Sequence, residues 1–288
     1  MNIRVIIMSD KFLSTVFRKA AFCRHFEKEV YSQLQEKKIR CPTYLSAGQE
    51  YISATIATLS EIQQLNPLIF IQHRGHSTYL SFGADPKELI DELLGRESGC
   101  AGGMGGSASI HSPSINLFGH DGLMGSHVPI AVGASYASKR PAIVFLGDAS
   151  AEEDYVLGAL GWASTKNLPI LFVVEDNNLS ILTKKRVRRN WEMVDVAKGL
   201  QLRAVATNDD PKNIRENLAK TLPDGLCSAP CLINVSTNRM FWHAGAGTDG
   251  EVFDRHETIK SILGSKGNII DDEEKQKVSE MWQECLIH

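Results

Sequence analysis

The 288-residue sequence has no apolar run approaching the ~20 residues that a membrane-spanning helix needs, so no span is expected. It has no excess of either charge: 31 Lys and Arg stand against 34 Asp and Glu, a net charge of −3. That balance excludes the broad basic surface of a general nucleic-acid binder. Cysteine is sparse, and the six, at 23, 41, 100, 227, 231 and 285, lack metal-site spacing. They read as reduced thiols of a cytoplasmic protein. The start, MNIRVIIMSDKF, has a short apolar patch but no signal-peptide core, and either Met1 or Met8 serves as the start. No internal repeat or low-complexity linker interrupts the chain. With 43% hydrophobic residues it can bury a sizeable core.

What is present concentrates between Ala142 and Thr183. Residues 142–146 and 170–174 are short, continuously apolar runs, the pattern of strands buried on both faces of a parallel sheet. Between them, residues 151–165 place Val156, Ala159, Leu160 and Ala163 on one helical stripe. Such a unit needs a right-handed crossover, and both strands then end at the same sheet edge. Gly147-Asp148 follows the first strand and Glu175-Asp176-Asn177-Asn178 the second. Adjacent strands lie roughly 5 Å apart, so a carboxylate and an amide oxygen at the two tips can share one ion. The helix expected to start near Ser150 aims free N–H groups at the same edge, which favours phosphate. One carboxylate and one carboxamide suit Mg²⁺, which completes its octahedron with phosphate and water. The unit reads as a site for a diphosphate held through a metal. An Asp after a strand is also a frequent helix cap, and Asn-Asn is ordinary turn material. The pair at two consecutive strand tips is the more specific signal.

The remaining chain fits an α/β protein with a parallel sheet flanked by helices. Residues 10–38 have helical spacing (Phe12, Val16, Ala20, Cys23, Phe26, Val30). Ser46, with Gln49 three residues on, forms an expected capping box. A strand over 68–72 runs into His73-Arg74-Gly75-His76, either an anion site or a basic surface turn. Asp85-Pro86 opens a helix that runs to Gly95. Residues 98–110 are glycine-rich: a flexible linker by composition, an active-site loop within a compact chain. Small residues from Ile130 to Ala137 make a helix suited to a subunit interface. Lys184-Lys185-Arg186 and Arg188-Arg189 are a solvated basic loop or a docking patch. A strand (202–206), a helix (211–222) and a strand (231–236) follow, and the acidic run Asp271–Glu274 with Lys275 reads as a helix start.

These motifs resemble the alpha subunit of the thiamine-diphosphate-dependent decarboxylase component of 2-oxo-acid dehydrogenases, the pyruvate, branched-chain and acetoin group. The resemblance rests on Arg24-His25-Phe26-Glu27, Gly48-Gln49-Glu50, Arg74-Gly75-His76, Gly102-Gly103-Met104-Gly105-Gly106-Ser107 with His111, Met124-Gly125-Ser126, and the metal motif. It covers roughly residues 12–245. Departures are His73 for Tyr, Ala149 for Gly, Asp176 in the closing Asn-Asn stretch, and Leu179 for Tyr. The resemblance implies the thiamine-diphosphate-binding fold, diphosphate-binding half. Residues 1–288 would then form one alpha-type domain, with an N-terminal helical segment over 10–66 and a C-terminal tail over 264–288.

It further implies metal ligands at Asp148, Asn177 and the carbonyl of Leu179. Cofactor contacts fall at Arg74, Gly122, Met124, Gly147, Asp148, Ala149, Ser150, Asn177, Arg239 and His243. His76, His111 and His243 are the catalytic candidates. The implied cofactors are thiamine diphosphate and Mg²⁺, in an enzyme that decarboxylates a 2-oxo acid and passes the acyl group to a lipoyl carrier. The activating Glu and the pyrimidine-binding domain belong to a separate beta-type subunit in an α2β2 assembly, and a lipoyl acyltransferase is a further partner. Two alternatives stay open: a two-chain carboligase using another acceptor, and a non-catalytic scaffold subunit.

Overall fold

The computed structural model describes residues 3–120, 122–245, 247–248 and 253–287, with side chains from residue 10 onward. Strands β1 (Leu68–Phe70), β2 (Leu117–Phe118), β3 (Ala142–Gly147) and β4 (Ile170–Asp176) are followed by the hairpin β5 (Leu179–Ser180) and β6 (Thr183–Lys184). Strands β7 (Arg203–Asn208) and β8 (Cys231–Ser236) complete the set. Six strands form one sheet in the order β2-β1-β3-β4-β8-β7, every pair parallel. The expected parallel α/β architecture is therefore found.

Early helices are α1 (Ile3–Gln35), α2 (Glu50–Ile62), α3 (His76–Ser81) and α4 (Pro86–Leu93). In the middle lie α5 (His127–Ser138), α6 (Asp154–Thr165), α7 (Lys185–Arg188) and α8 (Met193–Gly199). The last are α9 (Pro211–Thr221), α10 (Arg255–Leu263) and α11 (Ser265–Ile287). Alternate strand residues feed two cores, as a period of two requires. Ile143, Phe145, Leu171 and Val173 pack with apolar residues of α1, α2, α4, α9 and α11. Val144, Leu146, Phe172 and Val174 pack with those of α5, α6 and α8. With both faces covered, the strands have no polar side, which is why they read as unbroken apolar runs.

Several local expectations need correction. Ser46 does not cap α2: its hydroxyl donates to Glu27 Oε1 at 2.5 Å, and the capping position falls to Gln49, whose side chain makes no capping bond. The helix after β3 does not begin at Ser150, because a 3-10 turn over Ser150–Glu152 intervenes before α6. The acidic run 271–274 lies inside α11, not at its start. Asp271 accepts from His25 Nε2 at 2.7 Å, from His256 Nε2 at 2.9 Å and from Lys260, so its charge serves tertiary pairing. The C-terminal segment is thus a packed helix, with Val278 and Trp282 buried among the core of α1.

Candidate functional site

Ligands in open α/β sheets bind beyond the carboxyl ends of the strands, where the strand order reverses. Here the chain leaves β1 for β2 on one side and returns to β3 on the other. A cavity of 310 Å³ lies at that place. Gln72, His73 and Arg74 enter it after β1, Gly147 to Ser150 after β3, and Glu175, Asn177 and Leu179 around the end of β4. Met124, Arg239 and His243 close it. In the register of β3 and β4, Gly147 pairs with Glu175, so Asp148 follows level with Asp176 and Asn177 comes one residue further on. Of the residues singled out in the sequence, Arg74, Met124, Gly147, Asp148, Ala149, Ser150, Asn177, Leu179, Arg239 and His243 line this one cavity.

Each is held by its neighbours. Asn177 Nδ2 donates to Gln49 Oε1 at 2.9 Å, and its Oδ1 accepts the Leu179 N–H at 3.1 Å. Asn178 takes a left-handed conformation, φ +64°, which turns the chain so that Leu179 follows Asn177 into the lining. Ser150 Oγ donates to the Gly147 carbonyl at 2.9 Å and closes the turn around Asp148. Arg74, buried, donates to the carbonyls of Leu45 at 2.8 Å and His243 at 3.2 Å. Arg239, also buried, donates to the Ile181 carbonyl at 3.0 Å.

The edge is electrostatically strained. Burial and the nearby Asp176 push the Asp148 carboxyl up to about 6, against the pull of Arg188. Burial pushes Glu175 up to about 7. Burial also works on Asp176, but Lys185 and Asn234 outweigh it and hold that carboxyl below its ordinary value. In the basic segment Lys184 and Arg186 are exposed, whereas Lys185, Arg188 and Arg189 turn to carboxylates of the edge. Arg188 pairs with Asp148 and, at 2.5 Å, with Glu152; Arg189 donates to Glu152 at 2.9 Å; Lys185 reaches Asp176 at 2.8 Å.

Three expected residues are not in the lining. His76 is fully buried between Glu27, 3.2 Å from its Nδ1, and Ser107 Oγ, 2.9 Å from its Nε2. His111 accepts the Gly119 N–H at 3.0 Å through Nδ1 and so ties the segment before β2 to the residue that follows it. Gly122 is exposed, with φ +103°; its neighbour Asp121 lies outside the described residues. Conversely, Gln72, His73 and Glu175 line the cavity without having been assigned there. Their signal was positional, since all three sit at the ends of buried strands. His73 is half-buried, and desolvation with the Arg74 charge holds its imidazole well below its ordinary pKa.

The sequence model of the family "Dehydrogenase E1 component" matches residues 18–275. The alpha subunit of acetoin:2,6-dichlorophenolindophenol oxidoreductase from Cupriavidus necator is 31% identical over 178 residues, 60% of this chain and 53% of the relative. The pyruvate dehydrogenase E1 component subunit alpha of Rickettsia prowazekii is 28% identical over 248 residues, 79% of this chain and 72% of the relative. Among solved structures, transketolase from Leishmania mexicana superposes with a TM-score of 0.58 at 14% identity, covering 96% of this chain and 46% of that one. This likeness shows the fold, the thiamine-diphosphate-binding fold anticipated from the motifs. The chain spans about half the length of the acetoin relative and of the transketolase chain. With the family pattern running from α1 into α11, the protein belongs to the dehydrogenase E1 component family.

Proposed function

We propose that this chain is the alpha subunit of a two-chain, thiamine-diphosphate- and Mg²⁺-dependent enzyme that decarboxylates a 2-oxo acid and transfers the acyl group. One observation carries the reading: a single cavity gathers Asp148, Asn177 and Leu179 beside Arg74, Arg239 and His243. The donor set fits the metal. A carboxylate, a carboxamide oxygen and a backbone carbonyl are hard oxygen ligands, and Mg²⁺ accepts such a partial set when phosphate oxygens fill the rest.

Thiamine diphosphate, when bound, supplies the electron sink for decarboxylation. The chain's own residues hold and orient. Asp148, Asn177 and the Leu179 carbonyl would ligate the metal, with the Leu179 N–H fixing which end of the Asn177 amide carries oxygen. Arg74 and Arg239 would take the diphosphate through fixed guanidinium donors. His243, with Arg74 Nη2 3.4 Å from its Nδ1, lines the same cavity and would contact the bound cofactor and serve as the catalytic histidine. His76 would act from behind the wall, by fixing Ser107, and His111 by fixing the loop at Gly119.

The pyrimidine-side domain and its Glu would come from a beta-type subunit in an α2β2 assembly, and a lipoyl acyltransferase would receive the acyl group. The free cysteines among the described residues agree with a cytoplasmic location. A different acyl acceptor is the second reading, favoured by His73 in the cavity lining at a position where Tyr was expected. The experiment is calorimetric titration of thiamine diphosphate with Mg²⁺ into the chain alone and with its beta-type partner. Binding only in the mixture, followed by 2-oxo-acid decarboxylation, is expected. Tight binding to the lone chain would overturn the shared site, and no binding in either would overturn the reading.

A further inference from the structure

The glycine-rich loop over 98–110 has the composition of a phosphate cradle, but its anion slot is already filled from within the chain. Glu92, 1% exposed on α4, lies inside the loop. Its Oε2 accepts the N–H groups of Ala101 at 2.7 Å and Gly103 at 2.8 Å. Its Oε1 accepts those of Gly105 at 2.7 Å and Gly106 at 2.8 Å. Four convergent backbone N–H groups are what a nest offers a phosphate or carboxylate, and bonds to a charged acceptor are the strong kind. The glycines are there for closeness. A Cβ on Gly99 would stand 2.5 Å from the Glu92 Cα, and one on Gly103, at φ +73°, would stand 2.6 Å from the Arg96 carbonyl.

The loop so formed reaches the functional site through two contacts. Ser107 Oγ accepts the Tyr44 N–H at 2.9 Å, while the same oxygen meets His76 Nε2 at 2.9 Å. The Tyr44 ring packs edge-on against His73, centroids 4.8 Å apart, and against His243 at 5.3 Å. His73 and His243 line the Asp148 cavity. We infer that Glu92 is the internal anion on which the glycine-rich loop folds, and that through Ser107 and Tyr44 it positions the His73–His243 wall of the cavity. Glu92 is a positioning residue, and this role stands whether or not the cavity takes thiamine diphosphate.

The full chain tests this without a cofactor. Glu92→Ala removes the carboxylate and leaves a space of acetate size. A cavity of 650 Å³ lined by Glu92, Gly103, Gly105 and Gly106 gives added acetate a path in. Amide hydrogen exchange over 98–110 should speed up roughly tenfold or more in this variant, because four donors lose their acceptor, while β3 and β4 stay protected. Acetate, but not neutral acetamide, should restore the slow exchange. Ring resonances of His73 and His243 should shift in the variant and return with acetate. Glu92→Gln, isosteric but uncharged, should fall between wild type and Ala. Unchanged loop exchange, or an equal rise in β3 and β4, would overturn the inference. So would a failure of acetate to rescue, or histidine resonances that do not respond.

Discussion

Two groups of ion pairs use the same chemistry, one between α1, α2 and the cap of α10, the other at the cavity. Behind the site, Arg24 of α1 donates to Glu50 of α2 at 2.5 Å and to both oxygens of Asp254 at 2.9 and 3.0 Å. Arg24 and Glu50 are at most 1% exposed. Glu50 Oε2 also accepts the Gly48 N–H at 2.6 Å, so both of its oxygens are used. At the rim, Arg188 serves Asp148 and Glu152 from α7, a helix of four residues. The first group joins α1, α2 and the capping residue of α10 and fixes how they pack. The second closes a short segment over a carboxylate that a ligand would need. Glu50 and Asp148 are both buried, at 0% and 2% exposure, so the difference lies in the cation: Arg24, 1% exposed, sits on a 33-residue helix, and Arg188, 13% exposed, on a four-residue one.

The sharpest break of this comparison is Arg24→Ala. It leaves two carboxylates without their cation, one fully buried, and should cost about 3–5 kcal/mol in urea unfolding. A loss below about 1 kcal/mol would put the group in the class of surface pairs. A smaller effect is expected from Arg188→Gln, at most about 2 kcal/mol, because the short segment keeps Lys185 and Arg189 as anchors. Its signature is instead electrostatic. The Arg188 charge favours the carboxylate, so its removal must move the Asp148 titration upward from about 6, read by carboxyl carbon NMR. An unmoved or lowered midpoint would show that Arg188 does not control Asp148.

Much of this was legible in the sequence where the signal is local. The apolar runs gave β3 and β4, and the run over 231–236 coincides with β8. Asp210 caps α9 with Pro211 behind it, as Asp85 and Pro86 do for α4. The strand-tip logic and the family motifs together named ten residues that line one cavity. What stayed hidden depends on partners distant in the chain. Ser46 has the composition of a cap, but Glu27 and Ser77 take its hydroxyl. Asp271 looked like a helix-start acid, yet it is neutralised by side chains of α1 and α10. Glu92 carried no signal at all, since its four partners are backbone groups and leave only one alanine and three glycines behind.

The most direct test of the central claim is thiamine diphosphate affinity as a function of Mg²⁺ in the assembled two-chain protein, wild type against Asp148→Ala. The account predicts a Mg²⁺-dependent affinity that falls by roughly tenfold or more in the variant, with assembly intact. An Asp148→Ala protein with the same affinity and the same Mg²⁺ dependence would contradict it.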